Sequence, residues 1–148
     1  MEQIFNLKTG FLAVAAGIGS VCAQQLGGWD AMLRVLVALM AVDYLTGLLV
    51  ASVFKRSNKS ENGALDSRAG FRGLCKKGVI LLLVWVGVLL DGATGAAYIR
   101  TALVLFFAGN EGLSLLENVG LMGVPYPPFL RNALETLQKK GGEGSDTE

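Results

Sequence analysis

Histidine is absent from the 148 residues and cysteine occurs twice. The first absence removes His-based catalytic triads, the usual zinc sites and simple histidine proton relays. Cys22 lies in an apolar stretch and Cys75 in a basic one, without a partner at metal-ligand spacing, and reduced thiols are expected. Charge is scarce as well, at 17% of residues against roughly 25% in soluble domains. The net charge of +1 offers no global case for nucleic-acid binding. Nucleophile–base pairs, phosphate-binding glycine loops and ligand clusters are missing too, so the chain does not read as an enzyme and calls for no cofactor or metal.

What is present is hydrophobicity in long blocks. Apolar residues make up 52% of the chain, and they are not confined to one stripe. Helices apolar all round are deeply buried or in lipid, and a small soluble fold has too little interior for such blocks. Four blocks approach the roughly 20 helical residues that cross a bilayer core of about 30 Å. They lie near 11–29, 31–54, 78–99 and 101–122. Short linkers at Gly27-Gly28 and Arg100 join them as two hairpins. The expected fold is an all-α integral membrane protein with about four transmembrane helices over residues 1–124.

The first block is the weakest. Val21-Cys22-Ala23 resembles a secretory cleavage site, but residues 1–9 carry only one lysine beside one glutamate, a poor positive leader. Ala13, Gly17 and Ala16, Ser20 stand at four-residue spacing, which suits close helix packing in lipid. A retained, tightly packed span is expected.

Lysine and arginine counts orient the spans. The segment 55–77 holds Lys55, Arg56, Lys59, Arg68, Arg72, Lys76 and Lys77. With Lys8, Arg131, Lys139 and Lys140, eleven basic residues fall on one side, against Arg34 and Arg100 on the other. Both termini and a basic loop over 55–77 are therefore expected in the cytoplasm, and Lys55, Arg56, Arg72, Lys76 and Lys77 are expected to set topology and touch anionic lipid. Arg34 and Arg100 read as snorkelling anchors.

All three prolines lie within Pro125-Tyr126-Pro127-Pro128, which cannot continue a helix. Over residues 125–140 a proline turn leads into a short amphipathic helix. Its Phe129, Leu130, Ala133, Leu134 and Leu137 share a face suited to the membrane surface or a neighbouring helix. Residues 141–148 are Gly-rich and acidic, and disorder is expected there.

Intramembrane acids are functional candidates by default. At about 1.5 Å per residue, Asp43, Asp91 and Glu111 are each about 18–21 Å from the expected cytoplasmic boundary, a common layer. The competing reading is polar glue between helices. Asp43-Tyr44-Leu45-Thr46-Gly47 and Asp91-Gly92-Ala93-Thr94-Gly95 share a D-x-x-T-G pattern, by chance or by inverted repeat. On the fourth span Glu111, Ser114, Glu117 and Asn118 form a polar face that must meet protein or water.

From about Asp43 to Leu137 these features together resemble the phage lysis and toxin-secretion holins. The resemblance runs through Asp43 with Thr46-Gly47, Ser67 through Gly73 to Lys76-Lys77, then Asp91. It continues with Glu111, Ser114, Glu117-Asn118, Gly123, and Pro125 and Pro128 before a leucine-bearing segment. It implies a self-associating, homo-oligomeric protein of the bacterial cytoplasmic membrane, without enzymatic activity. Such a protein opens lesions through which an endolysin or a large toxin passes as cargo. Lesion-lining candidates are Asp43, Thr46, Asp91, Glu111, Ser114, Glu117 and Asn118. An ion-coupled channel or carrier, and a membrane anchor or interaction module, are the competing readings.

The charge asymmetry is testable by reporter insertion. A fluorescent protein inserted after Ser57 should fluoresce in the cytoplasm, and alkaline phosphatase fused after Gly28 should be active outside it; the reverse pattern overturns the orientation.

Overall fold

The computed structural model describes residues 1–59 and 62–143, and among these all regular structure is helical. Helix α1 is Glu2–Gln25, α2 is Ala31–Leu49, α3 is Ser67–Thr94, α4 is Ile99–Leu121 and α5 is Pro128–Gly142. A π-helical turn, Val50–Phe54, prolongs α2 and ends at Lys55 with φ of 50°. Among the described residues four helices are long and apolar enough to cross a membrane: α1, α2 with its π turn, α3 and α4. The protein is a multi-pass membrane protein.

The helix ends follow local chemistry. Asp30 caps α2 by accepting from the Leu33 amide at 2.8 Å, and Asp66 opens α3 by accepting from Arg68 at 2.9 Å. Opening there, α3 takes in Arg68, Arg72, Lys76 and Lys77, so half of the segment expected as a 55–77 loop is helix. Gly95, with φ of 73°, ends α3 at Thr94 rather than near 99. The first helix starts at Glu2 and ends at Gln25, earlier than the expected 11–29. Helix α5 starts on Pro128, where a missing amide costs nothing. It continues through Gly141 and Gly142; from residue 144 the acidic tail lies outside the described residues.

Helix α4 is the hub. It packs on α2, α3 and α5, whereas α1 buries none of its residues. The bundle of α2, α3 and α4 has two halves. Toward the 26–30 turn it is dry, with Leu36, Met40, Val84, Val104 and Ala108 in one cluster flanked by Leu26, Met32 and Leu103. Toward the basic segment it becomes polar, where Asp43, Glu111 and Asn118 are buried.

One clamp closes the dry end. Arg100 donates from Nε to the Leu26 carbonyl at 2.6 Å, and its guanidinium meets Asp30 at 2.7 Å. Gly27, with φ of 87°, lets the turn lie under that side chain; a Cβ there would stand 2.6 Å from Arg100 Nε. The anchor expected at Arg100 is thus folded over a turn, while Arg34 is exposed. The Arg100 guanidinium holds the Asp30 carboxyl below its ordinary value of 3.8, so this pairing is fully present above pH 3.8 and fades as pH falls through the lowered pKa.

Asp30 therefore has two separable roles. Asp30→Asn should keep the cap and lose the ion pair, and Asp30→Ala should lose both, with the cap worth about 0.5–2 kcal/mol. Thermal unfolding in detergent, followed by circular dichroism, should rank wild type above Asn and Asn above Ala; equal melting of the two variants would remove the cap from the account.

Candidate functional site

The polar half of the bundle is organised around one lysine. Lys77, in the third turn of α3, reaches Asp43 Oδ2 of α2 at 2.8 Å and Glu111 Oε2 of α4. Asp43 is 5% exposed, Glu111 9% and the Lys77 side chain 12%, so this is an interior ion cluster and not a surface pair. Three helices each contribute one charge. Two carboxylates share one ammonium, so the cluster has one acid more than base.

Asn118, one further α4 residue and 3% exposed, completes the cluster. Its amide donates to Asp43 Oδ1 at 3.0 Å, to the Asp43 carbonyl at 3.1 Å and to Thr46 Oγ1 at 3.1 Å. Thr46 in turn donates to the Val42 carbonyl at 2.8 Å, so its hydroxyl is both donor and acceptor. No buried side-chain polar atom among the described residues is left without a partner, as the low-dielectric interior demands.

A cavity of about 220 Å³ opens beside the cluster, between α2, α3, α4 and the residues Ser57, Lys59, Ala64, Leu65 and Asp66. Asp43, Lys77, Glu111, Ser57, Lys59 and Ser114 give it a polar lining, and Tyr44 walls one side. Lys59 lies 3.4 Å from Ser114 Oγ across it. Tyr44 packs against α3 at Gly70 and Gly73.

The expected site residues divide. Asp43, Thr46, Glu111 and Asn118 are brought together, and Ser114 lines the adjoining cavity. Glu117 is exposed and stands outside the cluster. Asp91 is elsewhere. Its carboxylate accepts from the Ile99 and Arg100 amides at 2.9 and 3.0 Å, capping α4 from across the turn. The expected common depth of Asp43, Asp91 and Glu111 does not hold. That depth took Lys77 as the membrane boundary; α3 begins ten residues earlier, so Lys77 itself meets the other two acids and Asp91 lies about 21 Å further along the helix.

The D-x-x-T-G copies also part company: Thr46 serves the cluster, whereas Thr94 bonds back to the Leu90 carbonyl at 2.7 Å beside the helix end. The residue whose role was missed is Lys77, expected to mark topology. Its signal was its place in the series Gly70, Gly73, Lys77, Ile80, Val84 and Gly87, whose three- and four-residue spacing marks one helix face. Of this series Val84 and Gly87 are buried. Among the described residues no group of His, Cys, Asp or Glu is placed to hold a metal ion.

Removing Lys77 strands two buried carboxylates, at a cost of about 3–5 kcal/mol, whereas removing either acid leaves a matched pair. Lys77→Met alone should therefore greatly reduce the folded, membrane-inserted fraction. Asp43→Asn, Lys77→Met and Glu111→Gln combined should recover it. Limited proteolysis of the purified proteins in detergent checks this; equal resistance of the single and triple variants would show that the cluster does not hold the helices.

The sequence matches the bacteriophage holin family over residues 20–139. An uncharacterised protein of Clostridium perfringens is 39% identical over 125 residues, covering 83% of this chain and 87% of its own length. A second uncharacterised C. perfringens protein, of 14.9 kDa, is 37% identical over 95% of this chain and 99% of its own length. A probable holin of Bacillus phage phi105 is 28% identical over 85% of this chain and 88% of its own length. No solved structure matches. With the match spanning α2 to α5 and so the whole ion cluster, the chain belongs to the bacteriophage holin family.

Proposed function

We propose that this protein acts as a holin, self-associating in the bacterial cytoplasmic membrane and opening lesions that release an endolysin or a large toxin. The observation that carries the reading is the Asp43–Lys77–Glu111 cluster, a set of charges held within membrane-capable helices of a holin-family chain. Charges at such depth face protein or water, never lipid. In the closed state the cluster is satisfied inside one bundle. As copies accumulate, contacts between bundles loosen α2 from α4, and the same groups, with Thr46, Ser114 and Asn118, hydrate and face an aqueous path.

Membrane potential favours the closed state where opening moves charge, since a unit charge crossing 100 mV is worth about 2.3 kcal/mol. On this reading Asp91 is a structural cap and Glu117 an outer contact. Lys55, Arg56, Arg72 and Lys76 hold the basic segment at anionic lipid on the cytoplasmic side. The polar cavity beside Lys77 also favours a second reading, an ion-coupled channel or carrier. That reading requires stable, ion-selective currents in cells that survive.

Controlled expression in bacteria with and without a cytoplasmic endolysin separates these. A delayed, sudden loss of potential, with lysis only when the endolysin is present, is expected. Asp43→Asn and Glu111→Gln should shift the onset at equal expression. Continued growth with potential intact, despite membrane insertion, overturns the holin reading; unchanged onset in both variants removes the cluster from the trigger.

A further inference from the structure

Helix α5 lies where its composition does not belong. It runs antiparallel along α4, with Leu134 against Gly112, Gln138 against Gly109 and Asn110, and Gly141 against Ala102 and Phe106. Ala102 is the fourth residue of α4, so α5 returns along the hub helix almost to its far end and carries Lys139 and Lys140 toward the Arg100 end, away from the basic segment with which they were expected. The approach is close: a Cβ on Gly109 would stand 2.6 Å from the Gln138 nitrogen. Small residues allow such backbone proximity between helices in lipid. Where α4 crosses the bilayer, for which it is long and apolar enough, α5 packed along it shares its depth.

Beyond Phe129 and Leu130, which are exposed at its start, its outward face is nevertheless polar. Leu134, Leu137, Gln138 and Gly141 turn toward α4 and are half-buried, while Asn132, Thr136, Lys139 and Lys140 are exposed. Arg131 and Glu135 pair at 3.0 Å along one flank. At 100° per residue the exposed polar side chains occupy the arc opposite α4. Helix α3, which also packs on α4, is the reverse: it exposes Val79, Leu82, Val86 and Leu89. The packed molecule is amphipathic across its width, apolar on α3 and charged on α5. Lipid suits the first face. Ionisable groups at membrane depth are placed toward water-filled cavities or protein.

We infer that α5 is the wall of the aqueous path: in the assembled state the polar faces of α5 from several copies surround water and hydrated ions, while α3 faces lipid. This rests on the permeabilising reading above and names the element that meets the lumen. Helix α5 thereby differs from an interfacial amphipathic helix, whose apolar side would lie in the headgroup region instead of on Gly109 and Gly112. The contacts that hold α5 on α4, at Gly109, Asn110 and Gly112, are separate from the ion cluster, so α5 stays on α4 while α2 loosens from it.

The test uses the full-length protein in planar bilayers. The exposed native thiols are removed by Cys22→Ser and Cys75→Ser. In that background Thr136→Cys is compared with Leu82→Cys on α3. An impermeant trimethylammonium methanethiosulfonate added to open lesions should produce a stepwise fall in current at residue 136 and leave the current unchanged at residue 82. In a potassium chloride gradient, Lys139→Glu with Lys140→Glu should shift the reversal potential toward cation selectivity. Reaction at residue 136 without a change in current, together with an unmoved reversal potential, would place α5 away from the lumen while permeabilisation stands. Absence of any current from inserted wild-type protein would overturn the permeabilising reading, and this inference with it.

Discussion

A single ammonium group holds the polar half of this molecule together. Lys77 is the meeting point of α2, α3 and α4, joined to Asp43 on one side and Glu111 on the other. Burying charges is costly, and mutual attraction repays the cost only when geometry is good and remaining polar atoms are satisfied. Asn118 and Thr46 supply that satisfaction on the α2 side. A purely apolar interface would hold these helices less firmly, because helices in lipid gain little from apolar contact alone. What the cluster adds is register: a slide of one turn in any of the three helices separates the partners.

That register propagates outward. With α4 fixed against α2 and α3, Asp91 falls beside the α4 N-terminus and caps it, and Arg100 falls over the 26–30 turn. The other side of α4 presents Gly109 and Gly112 to α5. The same placement gives the bundle a dry end and a polar end, with a cavity at the polar one. For a member of the holin family the combination is functionally apt. The charged groups are satisfied within one chain, and on the proposed reading a change in helix packing hydrates them.

The division between legible and hidden features follows interaction range. Hydropathy blocks, the positive segment and the proline cluster are local, and they marked four membrane-capable helices and the amphipathic helix beyond Pro128. The family was also legible, from Asp43, Glu111, Asn118 and the glycines and prolines between and after them taken in order. Helix ends were less so. Asp66 was not recognised as a cap, and α3 consequently looked shorter than it is. That one boundary displaced the level assigned to Asp91 and disguised Lys77 as a surface lysine.

Composition and periodicity by themselves determined the class of this protein: helices too apolar for water, with acids too few and too deep to be decoration. They did so because lipid admits only structures that satisfy their own backbone, and a long apolar block then has to be a helix. Only tertiary structure decided which charges meet. Asp43, Lys77 and Glu111 are 34 residues apart in each step along the chain, and nothing local ties them. Likewise only packing decided that α5 returns along α4, since its apolar face fits a membrane surface as readily as a helix. The glycines at 109 and 112 settled the matter by letting one backbone approach the other.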